Sequence, residues 1–222
     1  MARTLALFDL DNTLLTDDSD YLWGRCLADA GLVDGPGYEA ANARYYELYK
    51  AGELDIHEFL AFALRPLREL PLPQLLALRE HFVAEWIAPR VAPAAPALIE
   101  RHRRDGHLPV IITATNRFVT GPIAGLLGIP ALIATEPEWL PTGFSGRALD
   151  PPCFRDGKVA RLHAWQQRYG YRNAYTYFYS DSHNDLPLLE QADAPCAVDA
   201  DEALSAVATA RGWPQISLRT AA

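Results

Sequence analysis

The stretch LALFDLDNTLL at Leu5–Leu15 constrains the fold more than any other part of the chain. Leu5, Ala6, Leu7 and Phe8 do not alternate with polar residues, so a strand here is covered on both faces, as in a parallel sheet flanked by helices. The strand ends in two aspartates, Asp9 and Asp11, one residue apart. Carboxylates beside a core are costly unless something pairs with them. Either they form a turn, or they hold a cation and do chemistry.

The same two-faced apolar pattern recurs in LPVIITAT (Leu108–Thr115), ALIAT (Ala131–Thr135) and AYTYFYSD (Ala174–Asp181). Between these runs lie helical stretches closed by Gly106, Gly128 and Gly170, natural helix stops. Strands alternating with helices predict an α/β fold, a doubly wound, Rossmann-like parallel sheet. A short hairpin is expected around PTGFSGR. From Thr16 to Ala92 the alternation stops, and consecutive helices follow, punctuated by Pro66, Pro71 and Pro73. The expected organisation is a core of residues 1–15 and 93–222, with an all-helical cap of residues 16–92 inserted after the first strand. The inserted segment carries 13 acidic and 7 basic side chains, a net −6 of the chain's −8. Solvated helix faces explain that surplus, and so does an acidic lid over a positively charged ligand.

With 222 residues and half of them hydrophobic, a sizeable core is available without disulfides. Cys26, Cys153 and Cys196 are few, odd in number and far apart, the pattern of reduced cytoplasmic thiols. The N-terminal apolar run meets aspartate too soon for a signal peptide, and no stretch has the length of a membrane helix. The acidic balance, without clusters of Lys or Arg, argues against nucleic acid or an anionic membrane as partner. A cytoplasmic protein with a small-molecule ligand is expected; the oligomeric state is not legible.

In a parallel sheet, ligands bind beyond the carboxyl ends of the strands. Asp9, Asp11, Thr113 and Asp181 all sit at such ends, with Asp185 and Lys158 at the starts of probable helices. Each alone has an ordinary explanation as turn former, buried strand threonine, helix N-terminal charge or surface lysine. Together they place four carboxylates, a hydroxyl and an ammonium at one crevice. His102 and His107 have zinc-like spacing but no cysteine pair nearby, and read as structural. His183 stands inside the last of these motifs, with no role assigned by its position.

FDLDNTLL, Thr113 in VIITATN, Lys158 and SDSHNDLPLL resemble, in order, the four motifs of the haloacid dehalogenase-like hydrolase superfamily. The helical insert after the first motif is similar to the cap of its phosphoserine phosphatase-like branch. DSDYLWG and TATNRFVTGPIA resemble a bacterial group containing histidinol-phosphate phosphatases. The resemblance implies a Mg²⁺-dependent phosphomonoesterase. Asp9 would attack phosphorus and become an aspartyl-phosphate, and Asp11 would protonate the leaving group and then activate water. The metal would be held by Asp9, Asp181 and the Asp11 backbone carbonyl, with Asp185 acting behind or through water. Thr113 and Lys158 would bind the transferring phosphoryl group, and Thr13 would fix the turn. A carboxyl beside ionised Asp9 is expected to have its proton affinity raised, which makes Asp11 the proton carrier.

Phosphoserine phosphatases carry a glutamate nine residues after the nucleophile, where it meets the substrate amine; Asp18 stands there in this chain. A shorter acid suits a bulkier amine, although a helix cap would also explain it. Ala114–Arg117 replaces the family's glycine-rich turn, which speaks against phosphoserine and makes Asn116 and Arg117 candidate substrate contacts, along with Asn184. The expected substrate is histidinol phosphate first and O-phosphoserine second. A phosphotransferase or phosphomutase could use the same aspartyl-phosphate. A signalling receiver domain needs neither the acid Asp11 nor a cap, and a non-catalytic binding protein would not keep every motif residue.

Overall fold

The computed structural model describes residues 3–220, so the outermost residues of the expected core unit, 1–2 and 221–222, lie outside it. The chain opens with β1 (Thr4–Phe8), and an irregular turn over Leu10–Leu14 leads to a helical segment. That segment contains α1 (Ser19–Asp29), α2 (Gly35–Lys50), α3 (Ile56–Ala63), α4 (Arg65–Glu69) and α5 (Leu72–His81). The last helix continues through a wider turn at Phe82–Ile87. The alternating part follows with α6 (Ala95–Arg104), β2 (Leu108–Asn116), α7 (Arg117–Leu126) and β3 (Ala131–Thr135). A hairpin of β4 (Pro137–Leu140) and β5 (Gly143–Ala148) comes next, then α8 (Asp156–Tyr169) and β6 (Tyr175–Ser180). The chain closes with α9 (Leu186–Leu189), β7 (Ala194–Val198), α10 (Glu202–Arg211) and β8 (Gln215–Ile216).

Six strands form one sheet in the order β3-β2-β1-β6-β7-β8, with every pairing parallel. The chain winds outward from β1 in one direction and then crosses to the other side, so the switch point lies between β1 and β6. The crevice beyond their carboxyl ends is where such a sheet takes a ligand. Period-two geometry sends alternate residues of β1 to opposite faces. Ala6 and Phe8 join one apolar cluster, Leu5 and Leu7 another, and all four are fully buried. Burying a side chain of Leu or Phe size stabilises by ~1.5–3 kcal/mol, so this unbroken run belongs at the centre of a covered sheet.

The first cluster does not stop at the sheet. It runs through Phe8 and Ile111 into Trp23, Leu60, Leu64, Leu75 and Phe82 of the helical segment. Trp23 meets Phe82 edge-on, with centroids 5.2 Å apart. The segment leaves and re-enters the alternating part through paired backbone: Ala92 N donates to Leu14 O at 2.9 Å and Thr16 N to Arg90 O at 2.8 Å.

The hairpin around PTGFSGR forms as expected, while β7, α10 and β8, which extend the sheet on its far side, lie beyond the sequence-derived elements. Among the described residues, no helix is long and apolar enough to cross a membrane. All three cysteines are buried and unpaired. His102 is buried against the sheet, with Nε2 2.9 Å from Tyr179 Oη and Nδ1 2.9 Å from His107 Nδ1. Burial lowers its pKa to about 4. The histidine pair is thus part of the packing.

Candidate active site

Every strand end named from the sequence delivers its side chain to one place. The Asp9 amide donates to Tyr179 O at 2.9 Å, which extends the β1–β6 ladder by one residue before the chain turns. Asn12 takes the left-handed conformation (φ 55°), which asparagine tolerates better than most residues. This folds Asp11 and Thr13 back toward the sheet. Thr13 Oγ1 donates to Asp181 Oδ1 at 2.8 Å and accepts from the Asp181 amide at 3.1 Å, tying the turn to the end of β6.

Lys158, in the first turn of α8, lies 2.8 Å from Asp9 Oδ1 and 2.7 Å from Asp185 Oδ2. Ser180 Oγ also donates to Asp185 Oδ2, at 2.7 Å. Asp9, Lys158 and Asp185 are all nearly inaccessible to solvent. Burial disfavours the charged ammonium, but Asp185 and Asp9 outweigh it and hold the Lys158 pKa above its ordinary value. For Asp9 the balance reverses. Burial pushes the carboxyl up to about 7 against the attraction of Lys158, with Asp185 and Asp11 adding to the rise. Asp181 is raised as well, chiefly by burial and then by Asp9. Desolvation is thus the largest cause of the raised proton affinity of Asp9.

Asp11 is gripped from two directions. The Ser19 amide at the start of α1 donates to Oδ1 at 2.7 Å, while Thr115 Oγ1 donates to Oδ2 at 2.8 Å and Thr113 Oγ1 at 3.3 Å. Residues i and i+2 of a strand share a face, so both β2 threonines reach the same carboxylate; the β2–β3 register breaks between Ile112 and Asn116, at this point. Thr115 did not stand out in the sequence because the resemblance singles out one hydroxyl. The spacing Thr-x-Thr at a strand end was the available signal.

A cavity extends from this cluster toward the helical segment. Asp9, Asp11, Thr113, Thr115, Lys158 and Asp185 line its inner end, and Asp18, Asp20, Tyr45, Tyr46, Tyr49 and Phe59 its outer part. Asp18 caps α1, accepting from the Tyr21 amide at 2.8 Å, and faces the cavity too. The helix cap is thus observed, and capping leaves the side chain in the cavity wall. Asp20, two residues after Asp18, is a further wall residue. Burial and then Asp11 push its carboxyl up to about 7, and the same two causes lead in raising Asp18 above its ordinary range. Among the described residues lining the cavity, Lys158 is the one basic side chain.

Three expected substrate contacts lie elsewhere. Arg117 Nε binds Glu136 at 2.7 and 2.9 Å and its Nη2 the Leu132 carbonyl at 2.8 Å, on the β3 side of the sheet and outside the cavity wall. Asn116 is buried as the cap of α7, accepting from the Val119 amide at 3.3 Å. An asparagine followed by a new helix is drawn into capping, and the arginine that opens the helix is turned away from the crevice. Asn184 is buried too, but its amide is occupied by Arg155 and the Tyr49 carbonyl.

The donor set available to a cation consists of carboxylate and carbonyl oxygens, the ligands of hard divalent ions. Among the described residues, no three His, Cys, Asp or Glu side chains form a ready-made cage. Thr13 holds one oxygen of Asp181, and Lys158 with Ser180 holds one of Asp185. What remains suits an ion that takes one or two carboxylates and completes its shell with water and phosphate oxygens.

A family model described as haloacid dehalogenase-like hydrolase matches residues 6–190. A histidinol-phosphatase of Neisseria meningitidis serogroup C (strain 8013) is 39% identical over 225 residues, covering 98% of this chain and 100% of the relative. Among solved structures, a protein of unknown function from Bordetella pertussis Tohama I superposes with a TM-score of 0.91 at 40% identity, covering 98% of this chain and 100% of that one. A substrate-bound phosphoserine phosphatase complex superposes with a TM-score of 0.71 at 16% identity, covering 99% and 94% of the two chains, a likeness of fold.

Proposed function

The chain belongs to the haloacid dehalogenase-like hydrolases and is a phosphatase, and we propose that it hydrolyses a small phosphomonoester carrying positive charge, through an aspartyl-phosphate on Asp9. Histidinol phosphate is the first candidate and O-phosphoserine the second. The observation that carries this reading is the cavity. Its inner end offers a nucleophilic carboxylate beside an ammonium, and its outer part offers Asp18 and Asp20 among tyrosine rings. A buried carboxylate without a counterion is expensive. Asp18 and Asp20 are half-buried in a wall whose one described basic side chain is Lys158, so they select a cationic leaving group. The name of the Neisseria relative points to the same substrate.

Asp9 attacks phosphorus through the oxygen that Lys158 does not hold, and the bond from phosphorus to the substrate alcohol breaks. Asp11 supplies the proton to the departing oxygen. It then takes one from the water that attacks the aspartyl-phosphate, releasing inorganic phosphate and restoring Asp9. Lys158 and Thr113 bind the transferring phosphoryl oxygens, where charge builds up. Mg²⁺ fits the donor set: Asp9, Asp181 and the Asp11 carbonyl would hold it, with Asp185 behind, and it would supply charge neutralisation and Lewis acidity. Residues 16–92 serve as the cap that closes over the leaving group.

The test is phosphate release, with Mg²⁺ and with EDTA, from histidinol phosphate, phosphoserine, a sugar phosphate and p-nitrophenyl phosphate. The expected result is turnover of the cationic esters in preference to the others, lost in EDTA and lowered at least about 10³-fold by Asp9→Asn. Equal turnover of neutral and cationic esters would remove the substrate assignment. No release from any ester would remove the hydrolase mechanism.

A further inference from the structure

The helix that walls the outer cavity, α2, is attached differently from its neighbours. Its buried side chains, Tyr38, Asn42 and Tyr45, stay outside the apolar cluster that welds the helical segment to the sheet. It rests instead on rings, one amide and the bond from Tyr45 Oη to Glu58 Oε1 at 2.8 Å. Tyr46 stacks on Tyr21 at 5.0 Å, Tyr38 on Phe62 at 4.5 Å, and Asn42 Nδ2 donates to the Tyr21 carbonyl at 2.8 Å. An element so held is drawn from the low-stability end of a fold, where lids are found.

The C-terminal end of α2 is gripped by the core. Arg155 Nη2 donates to the Gly52 carbonyl at 2.6 Å, and the same guanidinium spans Asn184 Oδ1 with bonds of 3.0 and 2.9 Å. Asn184 Nδ2 in turn donates to the Tyr49 carbonyl at 3.1 Å. Tyr49 lies in the last turn of α2 and Gly52 two residues past its end, where the helix's negative end lies, so a guanidinium and an amide complement that end in charge. The approach leaves no spare room. Gly52 has φ +71°, and a Cβ there would stand 2.6 Å from His183 Nε2 and 3.5 Å from Arg155 Nη2. His183 is itself fixed by Asp201, with both its amide and Nδ1 on Oδ2, at 2.8 and 2.7 Å.

The two arms of this grip grow out of the catalytic elements. Arg155 stands three residues before Lys158, and Asn184 immediately before Asp185. Lys158 and Asp185 are themselves joined at 2.7 Å. Arg155 also holds an unfavourable backbone conformation (φ 49°, ψ −122°) at the start of α8, strain that persists only where the surroundings over-determine it. We propose that Arg155 and Asn184 are positioning residues that clasp the C-terminal end of α2. They hold Tyr49 and the aromatic wall over the cavity when the Lys158–Asp185 pair is in place, and they release α2 to admit substrate and let product leave. The clasp rests on the cap reading of residues 16–92, and its primary test needs no substrate.

In the full-length protein, Arg155→Ala is expected to speed amide hydrogen exchange across residues 49–55 at least tenfold, with β1 and β6 unchanged. Arg155→Lys keeps the charge but not the fork, and its exchange falls between the two. For p-nitrophenyl phosphate, Arg155→Ala raises KM at least fivefold and changes kcat less than twofold. Gly52→Ala, which crowds His183 and the carbonyl that Arg155 holds, reproduces the exchange pattern. Unchanged exchange at 49–55 in both alanine variants overturns the clasp, whatever the turnover. So does a fall in kcat at constant KM with unchanged exchange, which would assign Arg155 to the placement of Lys158 alone. Absence of p-nitrophenyl phosphate turnover in the unaltered protein would bear on the proposed function and leave the exchange test intact.

Discussion

Asp11 shows how much a single carboxylate depends on its donors. Ser19 of the helical segment and Thr113 and Thr115 of β2 all point at it, so the group assigned proton transfer is aimed by two separate parts of the chain. A hydrogen bond to a charged group is worth ~1.5–3 kcal/mol, or about a 10–100-fold change in a rate that depends on its aim. Thr115→Val should therefore lower kcat on the preferred ester by about 10–100-fold, while Thr115→Ser, which keeps the hydroxyl, should stay within a few-fold of the unaltered enzyme. Steady-state kinetics of the pair decides it; equal activity in all three would leave the aiming to Ser19 and Thr113. Thr115 was readable as a strand residue but not as a site residue, because the motif resemblance singles out one hydroxyl of β2 and the fold brings two to Asp11.

At the scale of elements, α8 carries a constraint invisible in any window of sequence. Gly157 lies beside Lys158, and a Cβ there would overlap the Pro152 carbonyl. Backbone cannot move aside as a flexible side-chain tip can, so Gly157→Ala should destabilise by at least the ~1–3 kcal/mol typical of overpacking. It should also misplace Lys158. A lowered unfolding midpoint together with weakened phosphate binding is the expected pair of readings; normal stability would show that the loop before α8 yields. Helices and strands with strong signals were legible: β1, β2, β3 and β6 as two-faced apolar runs, and α6, α7 and α8 by their glycine stops. β7 and β8 were not. Ala194–Val198 is short and begins with an alanine and a proline, and Gln215–Ile216 has two residues; both are strands because a neighbouring edge completes their ladders.

For the molecule as a whole, the distribution of charge is the governing feature. Asp9 and Asp181 are raised mainly by burial; Lys158 opposes the rise at Asp9, and the Thr13 hydrogen bond opposes it at Asp181. A ligand that binds only the folded state stabilises it in proportion to the logarithm of its concentration. Added Mg²⁺ should therefore raise the unfolding midpoint in a concentration-dependent way, EDTA should reverse this, and Asp181→Asn should abolish it. A midpoint indifferent to Mg²⁺ in both proteins would count against the ion.

The sequence by itself determined the layered α/β class, the order of the four motifs and the crevice at the end of β1, because local periodicity and chain order dictate which strand ends share an edge. Tertiary structure alone decided which side chains face that crevice. It turned Arg117 to Glu136, spent Asn116 on a helix cap, gave Asn184 to Arg155 and the end of α2, and brought Asp20 and Thr115 into the wall. The physical reason is that a side chain's role depends on the nearest competing hydrogen-bond partner and on burial, and both are set by residues far away in the chain.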